Sequence, residues 1–167
     1  IARLVRIGVE QLGIREVRFT GGEPLLRPGL VGIVAAATAL RPRPEVSLTT
    51  NAIGLARVAP ALAAAGLDRI NCSLDTVDRA RFKQLTHRDR LDDVLAGLAA
   101  AQRAGLTPVK VNAVLLRGIN EEDAVPLLDY CLEHGYELRF IEQMPLDAHH
   151  AWTRGEMVTA EDILEQL

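Results

Sequence analysis

Thr20-Gly21-Gly22-Glu23-Pro24 is where residue types able to do chemistry stand closest together in this chain. Two adjacent glycines free the backbone from side-chain sterics and let a ligand reach bare main-chain N–H and C=O groups. Glu23 adds a carboxylate able to accept from an ammonium or from hydroxyls, and Pro24 fixes the exit from the turn and removes one donor. Val17-Arg18-Phe19 before it reads as a strand, and helix-prone sequence lies on both sides. In a βα unit this is the C-terminal end of a strand, where ligands bind. For Gly-Gly taken alone, a tight strand-to-helix turn is the simpler explanation.

The other strands add polar residues in the same places. Read with period two, Arg18 and Thr20 share a face, as do Ser47, Thr49 and Asn51, and Asn71, Ser73 and Asp75. Lys110 and Asn112 share one, as do Glu137 and Arg139, while the opposite faces are apolar or nearly so. Strands of a parallel sheet covered by helices on both sides should be apolar on both faces. One polar face per strand therefore predicts a curved sheet whose concave side is a wet, ligand-holding lumen; a lumen holding only water is the alternative. Arg18 and Lys110 suit phosphates. Thr49, Asn51, Asn71 and Ser73 suit a ribose, a base edge or the polar groups of an amino acid, and Asp75, like Glu23, can accept from an ammonium or hydroxyls. His87, His134, His149 and His150 lie off this face without zinc-ligand spacing, and His149-His150 reads as a solvated loop pair.

The elements that must hold these residues alternate. An amphipathic helix over 2–12, carried by Leu4, Val5, Ile7 and Leu12 and less regularly by Val9, closes at Gly13. Strands follow at 16–20, 45–50, 69–74, 108–116 and 137–142. Between them lie helices at 29–40, 55–65, 78–104 with an interruption at His87-Arg88-Asp89, and 121–134 opening after Asn120 as N-cap. Residues 146–158 read as a loop, and Thr159-Ala160-Glu161-Asp162 as a capping box for a last helix. Strict alternation predicts an α/β fold with a parallel sheet and right-handed crossovers, in a single domain. Five strands could form an arc of a barrel, an open doubly wound sheet or part of a larger partial barrel.

Composition sets bounds. With 167 residues, 49% hydrophobic, and a net charge of −3, there is material for one ordinary core and no basic surface inviting nucleic acid. No apolar run reaches spanning length, so no membrane is expected, and Cys72 and Cys131 lie far apart as in a reducing cytoplasm. The chain begins at Ile1 inside a helical pattern and ends at Leu167 within another, so an internal segment of a longer protein is expected.

Thr20–Pro24 resembles the GGEP loop of radical S-adenosylmethionine (SAM) enzymes. Leu48-Thr49-Thr50-Asn51, Ile70 to Asp75, Val109 to Asn112 and Arg139 to Pro145 are similar to one branch of that superfamily, the GTP 3′,8-cyclases. The resemblance implies a partial TIM-type barrel, an arc of a (β/α)6 fold. It implies SAM cleavage by a [4Fe-4S] cluster to a 5′-deoxyadenosyl radical. The chemistry that follows would turn GTP into a cyclic pterin precursor of molybdenum cofactor, handed on to a pterin-forming enzyme. Carried over by position, Gly22, Ser73 and Met144 would contact SAM, while Arg18, Thr49 and Lys110 would bind GTP. A homodimer of the whole protein is compatible with it. The family's Cys-x3-Cys-x2-Cys motif would precede Ile1 and a second cysteine trio would follow Leu167, so the segment alone is expected to be inactive. Three other readings compete: a radical SAM enzyme with a different substrate, a barrel aldolase or isomerase using Lys110 or Asp75, and a non-catalytic nucleotide-binding scaffold.

Overall fold

Apolar residues recur at every second position in the strands and at helical spacing between them, and the chain folds accordingly. A computed structural model describes residues 1–144 and 157–167. Most of the expected loop at 146–158, with Pro145, His149, His150 and Trp152, lies outside the described residues.

The order is α1 (Ala2–Leu12), β1 (Glu16–Phe19), a 3-10 turn (Pro24–Leu26), α2 (Leu30–Thr38), β2 (Glu45–Thr50), α3 (Leu55–Ala64) and β3 (Arg69–Ser73). Then come α4 (Arg79–Thr86), α5 (Leu91–Arg103), β4 (Val109–Ala113), a 3-10 turn (Glu121–Asp123), α6 (Ala124–His134), β5 (Glu137–Phe140) and α7 (Ala160–Leu164). The five strands form one open sheet in chain order, consistent with a partial TIM-type barrel. β1, β2 and β3 run parallel, in a register that sets Arg18 beside Ser47, Ser47 beside Arg69, and Thr49 beside Asn71.

The chain divides into two compact units. The first comprises Ile1–Ser73 and Asp92–Lys110. Its core is built from Val46, Leu48, Ile70 and Cys72 of β2 and β3, with Val34, Leu55, Leu62 and Leu98 from the helices, all essentially without solvent contact. Each fully buried Val or Leu contributes about 1.5–3 kcal/mol relative to exposure. On α1 the buried residues are Gly8 and Val9, whereas Leu4 and Leu12, expected to carry the apolar face, are 73% exposed. A Cβ at Gly8 would stand 3.0 Å from Ile14 Cδ1.

The same unit contains a tighter approach. Ala52, in the β2–α3 connection, is fully buried in the left-handed region at φ 60°. α5 presents Gly97 to it, and a Cβ at Gly97 would lie 2.6 Å from the Ala52 carbonyl oxygen and 3.2 Å from Leu55 Cβ. A bare Cα in mid-helix is what lets α5 seat against this connection.

The second unit comprises Leu74–Leu91 and Val111–Leu167. Leu74, Val111, Ala113, Leu127 and Cys131 form its core. β4 was expected to run to 116 but stops at Ala113. Val114 N–H donates to the Asp75 carboxylate (2.8 Å) and Leu116 N–H to Asn120 Oδ1 (2.7 Å), so side chains take donors that a longer ladder would use. Asn120 therefore makes no side-chain cap at the helix start; its Nδ2 donates to the carbonyls of Asp75 (2.8 Å) and Val114 (3.1 Å). The expected helix at 121–134 opens instead as a 3-10 turn leading into α6. The interruption at 87–89 is real: His87 takes φ 55° and ends α4, which Asp78 caps by accepting from Arg81 N–H. Arg81 pairs with the buried Asp123. The capping box of α7 forms as expected, with Thr159 and Asp162 accepting from each other's backbone N–H.

Gly97→Ala tests the close approach. Alanine is the better helix former by about 1 kcal/mol. Overpacking against a backbone carbonyl that cannot swing away costs about 1–3 kcal/mol. The variant is expected to unfold at lower urea concentration than the parent; an equal or higher midpoint would show that α5 can retreat.

Candidate functional site

A loop with two glycines has no side chains of its own to hold it, so its shape must be imposed by its neighbours. Here Glu23 does this. Its Oε1 accepts from Leu25 N–H (2.9 Å) and from the Thr50 hydroxyl (2.7 Å), and its Oε2 accepts from Asn51 N–H (2.8 Å). The carboxylate thus caps the 3-10 turn and ties the end of β1 to the end of β2. Glu23 was read from the sequence as an acceptor for a ligand; its oxygens instead serve the protein's own donors. Thr50, whose side chain sits on the otherwise apolar side of β2, is 3% exposed and relays the tie, its Oγ accepting from Ala52 N–H (3.0 Å). The broken apolar run Val46-Leu48-Thr50 was the signal for it. Asn51 Oδ1 is likewise engaged, by Ile53 N–H at 2.9 Å.

What the tie leaves open is main chain. Gly21 has φ 145°, and a Cβ at Gly21 or Gly22 would meet nothing within 4 Å. A cleft of about 260 Å³ lies between the Thr20–Pro24 segment and Phe19, Arg27, Leu30 and Ile33.

The polar strand faces are arranged in rows. Arg18 is exposed on β1 beside Ser47, which is 4% exposed, and Thr49, further along β2, is half-buried next to Asn71. Arg69, one row below Asn71 on β3, pairs with Glu45 at the opposite end of the strands from the glycine loop. This pair went unread because the facing register is not visible in a single sequence. Ser73 is exposed at the end of β3, and Lys110 is half-buried on β4. Arg18, Gly22, Thr49, Ser73 and Lys110 all belong to the first unit. Met144 belongs to the second, where it follows β5 and is 60% exposed.

Two amides stand out. Asn71 is 2% exposed, and neither its Oδ1 nor its Nδ2 has a hydrogen-bond partner. In the second unit, Asn112 Oδ1 is also buried and unpartnered. Such groups each cost about 1–3 kcal/mol if nothing meets them. Asp75, also in the second unit, spends Oδ1 on Val114 N–H. Burial pushes its carboxyl above the ordinary value, with the Val114 bond opposing by less.

The cysteines sit apart from this chemistry. Cys72 and Cys131 are both buried, 0% and 1% exposed, and burial pushes the Cys131 thiol up to about 11. Neither forms a disulfide. Among the described residues, no group of three or more His, Cys, Asp or Glu is placed to hold a metal ion, and no helix is long and apolar enough to cross a membrane.

Residues 1–131 match the family described as the radical SAM superfamily. Over all 167 residues the chain is 67% identical to GTP 3′,8-cyclase of Streptomyces coelicolor and 64% identical to that of Mycobacterium marinum. It spans about half the length of these relatives, 49% and 46%. Coproporphyrinogen III oxidase from Escherichia coli, a radical SAM enzyme, shares the fold at a TM-score of 0.66 and 15% identity, over 98% of this chain and 42% of that one.

Two measurements follow from the geometry. Glu23→Gln turns an acceptor toward donors and is expected to cost about 1–3 kcal/mol. In a double-mutant cycle with Thr50→Val the two should couple by about 0.5–3 kcal/mol; additive effects would dissolve the tie. For Asp75 the folded state holds its proton more tightly than the unfolded chain. Its contribution to stability therefore falls as pH rises from the ordinary carboxyl value of 3.8 through the raised folded one. Asp75→Asn should remove that slope, gaining on the parent as pH increases in urea unfolding followed across this range; parallel stability curves would refute it.

Proposed function

The chain belongs to the radical SAM superfamily, and from that premise we propose that it is the SAM- and GTP-binding part of a GTP 3′,8-cyclase. The whole protein would convert GTP to a cyclic pterin precursor of molybdenum cofactor in the cytoplasm. A pterin-forming enzyme would consume that product, and a homodimer is compatible with this role. The observation that carries the proposal is 67% identity over every residue of the chain to a protein of that name.

The residues present suit SAM at one end. Open main chain at Gly21 and Gly22, held rigid by Glu23 and facing a cleft, suits an amino-acid ammonium and carboxylate. Gly22 offers backbone, Ser73 a hydroxyl at the end of β3, and Met144 the backbone after β5. When bound, SAM supplies the radical that abstracts hydrogen. For a [4Fe-4S] cluster the described residues do not fit: they include no ligand set, and the buried Cys131 thiol resists becoming a thiolate. Cluster ligands would come from elsewhere in the whole protein, and these 167 residues alone would not react.

For GTP, the division of labour is between charge and shape. Arg18 and Lys110 supply cations for the phosphates, Arg18 from an exposed strand position and Lys110 from a half-buried one. Thr49 offers a hydroxyl on β2, beside Asn71. The polar rows keep water-like partners around a charged substrate, and the apolar sides of β2, β3 and β4 are buried, so binding need not disturb the core.

In the intact protein, Arg18→Ala and Lys110→Ala are each expected to weaken GTP binding about tenfold to a hundredfold, the range of a charge-assisted hydrogen bond. Isothermal titration against GTP checks this. An unmodified protein that binds SAM but not GTP would reassign it to a radical SAM enzyme with another substrate.

A further inference from the structure

Asn71 is the residue whose burial is least explained by packing. It stands on the polar side of β3, between Ile70 and Cys72, which face the helices with no solvent contact. Thr49 is beside it across the β2–β3 ladder. Its carboxamide carries one acceptor and two donors. At 2% exposure, neither heavy atom has a partner. An apolar side chain could occupy such a buried position without that penalty. A polar side chain sealed from water and left unmatched signals a group supplied by something else.

From this we infer that Asn71 reads the uncharged nucleoside part of a bound ligand, through a base edge or sugar hydroxyls. The inference rests on the nucleotide-binding role proposed above and adds a specificity-determining residue to it. Chemistry narrows the class. A phosphate only accepts, so it would satisfy Nδ2 and leave Oδ1 bare. An ammonium only donates, with the opposite failure. A base edge presents donor and acceptor side by side, which an amide can meet with both atoms at once; a hydroxyl gives and takes as well. Arg18, one row away on β1, and Lys110 on β4 are the groups suited to the charged parts, so recognition is divided between cations and an amide. GTP and SAM both carry a nucleoside, and the two are separated by experiment.

The decisive variant is Asn71→Leu, nearly isosteric and without polar atoms, with Asn71→Ser read in parallel as a smaller replacement. In the intact, anaerobically reconstituted protein, each is titrated with GTP, with SAM and with inorganic triphosphate, and its Tm is recorded. Binding of GTP or of SAM is expected to weaken at least tenfold, with inorganic triphosphate unaffected and the Tm of Asn71→Leu equal to or above that of the parent. The ligand that weakens identifies which nucleoside is read. Unchanged affinity for both overturns the inference and leaves Asn71 to an internal water. A Tm lowered by several degrees in both variants overturns it too, because Asn71 would then be holding the protein together. If the unmodified protein binds neither GTP nor SAM, the failure belongs to the proposed function and not to Asn71.

Discussion

The carboxylate of Glu23 is the constraint on which the glycine loop depends. Fixing a residue's backbone costs about 1–2 kcal/mol, and glycine loses the most freedom. Gly21 and Gly22 have no side chains to offset that with contacts of their own, and a Cβ on either would meet nothing within 4 Å. The offset comes from one side chain reaching across to the next strand, where the Thr50 hydroxyl and Asn51 N–H donate to it. The result is backbone both exposed and fixed. Thr50 then passes the constraint to Ala52, and Ala52 is clamped by Gly97 of α5. A residue that looks chemical in the sequence is thus a support, and the residues it supports have no side chains.

Local signals recovered most of the scaffold. β2 at 45–50 and the glycine-ended helices α1 and α6 stand where periodicity and Gly13 and Gly135 put them. The apolar sides of β2, β3 and β4 are buried as alternation requires. What could not be read depends on which strand faces which, and in what register. The Glu45–Arg69 pair, the Glu23–Thr50 tie and the Asn120 bonds back to Asp75 and Val114 join residues 24 or more positions apart or override a local rule. Asn120 shows the second case: a good N-cap by type, it has better partners at the end of β4. Leu4 and Leu12 show that amphipathicity names a stripe without saying how much of it the fold covers.

The polar rows have a cost. A strand that buries Asn71, or half-buries Thr49 or Lys110, gives up apolar burial that Leu or Val would contribute. Natural proteins accept such local losses where a site must be preorganised. The loss is confined to one side of the sheet, with Val46, Leu48, Ile70 and Cys72 packed on the other. The two sides therefore differ in kind, one apolar and closely packed, the other polar.

Burial of Cys72 and Cys131 also affects how this protein can be observed. A thiol held near 11 is almost entirely protonated at neutral pH, and both sulfurs are out of reach of dissolved reagents. Maleimides, spin labels and mild oxidants will therefore find little to react with in these residues. Any thiol placed on the surface by design, or carried by cysteines elsewhere in a longer chain, would report against a silent background.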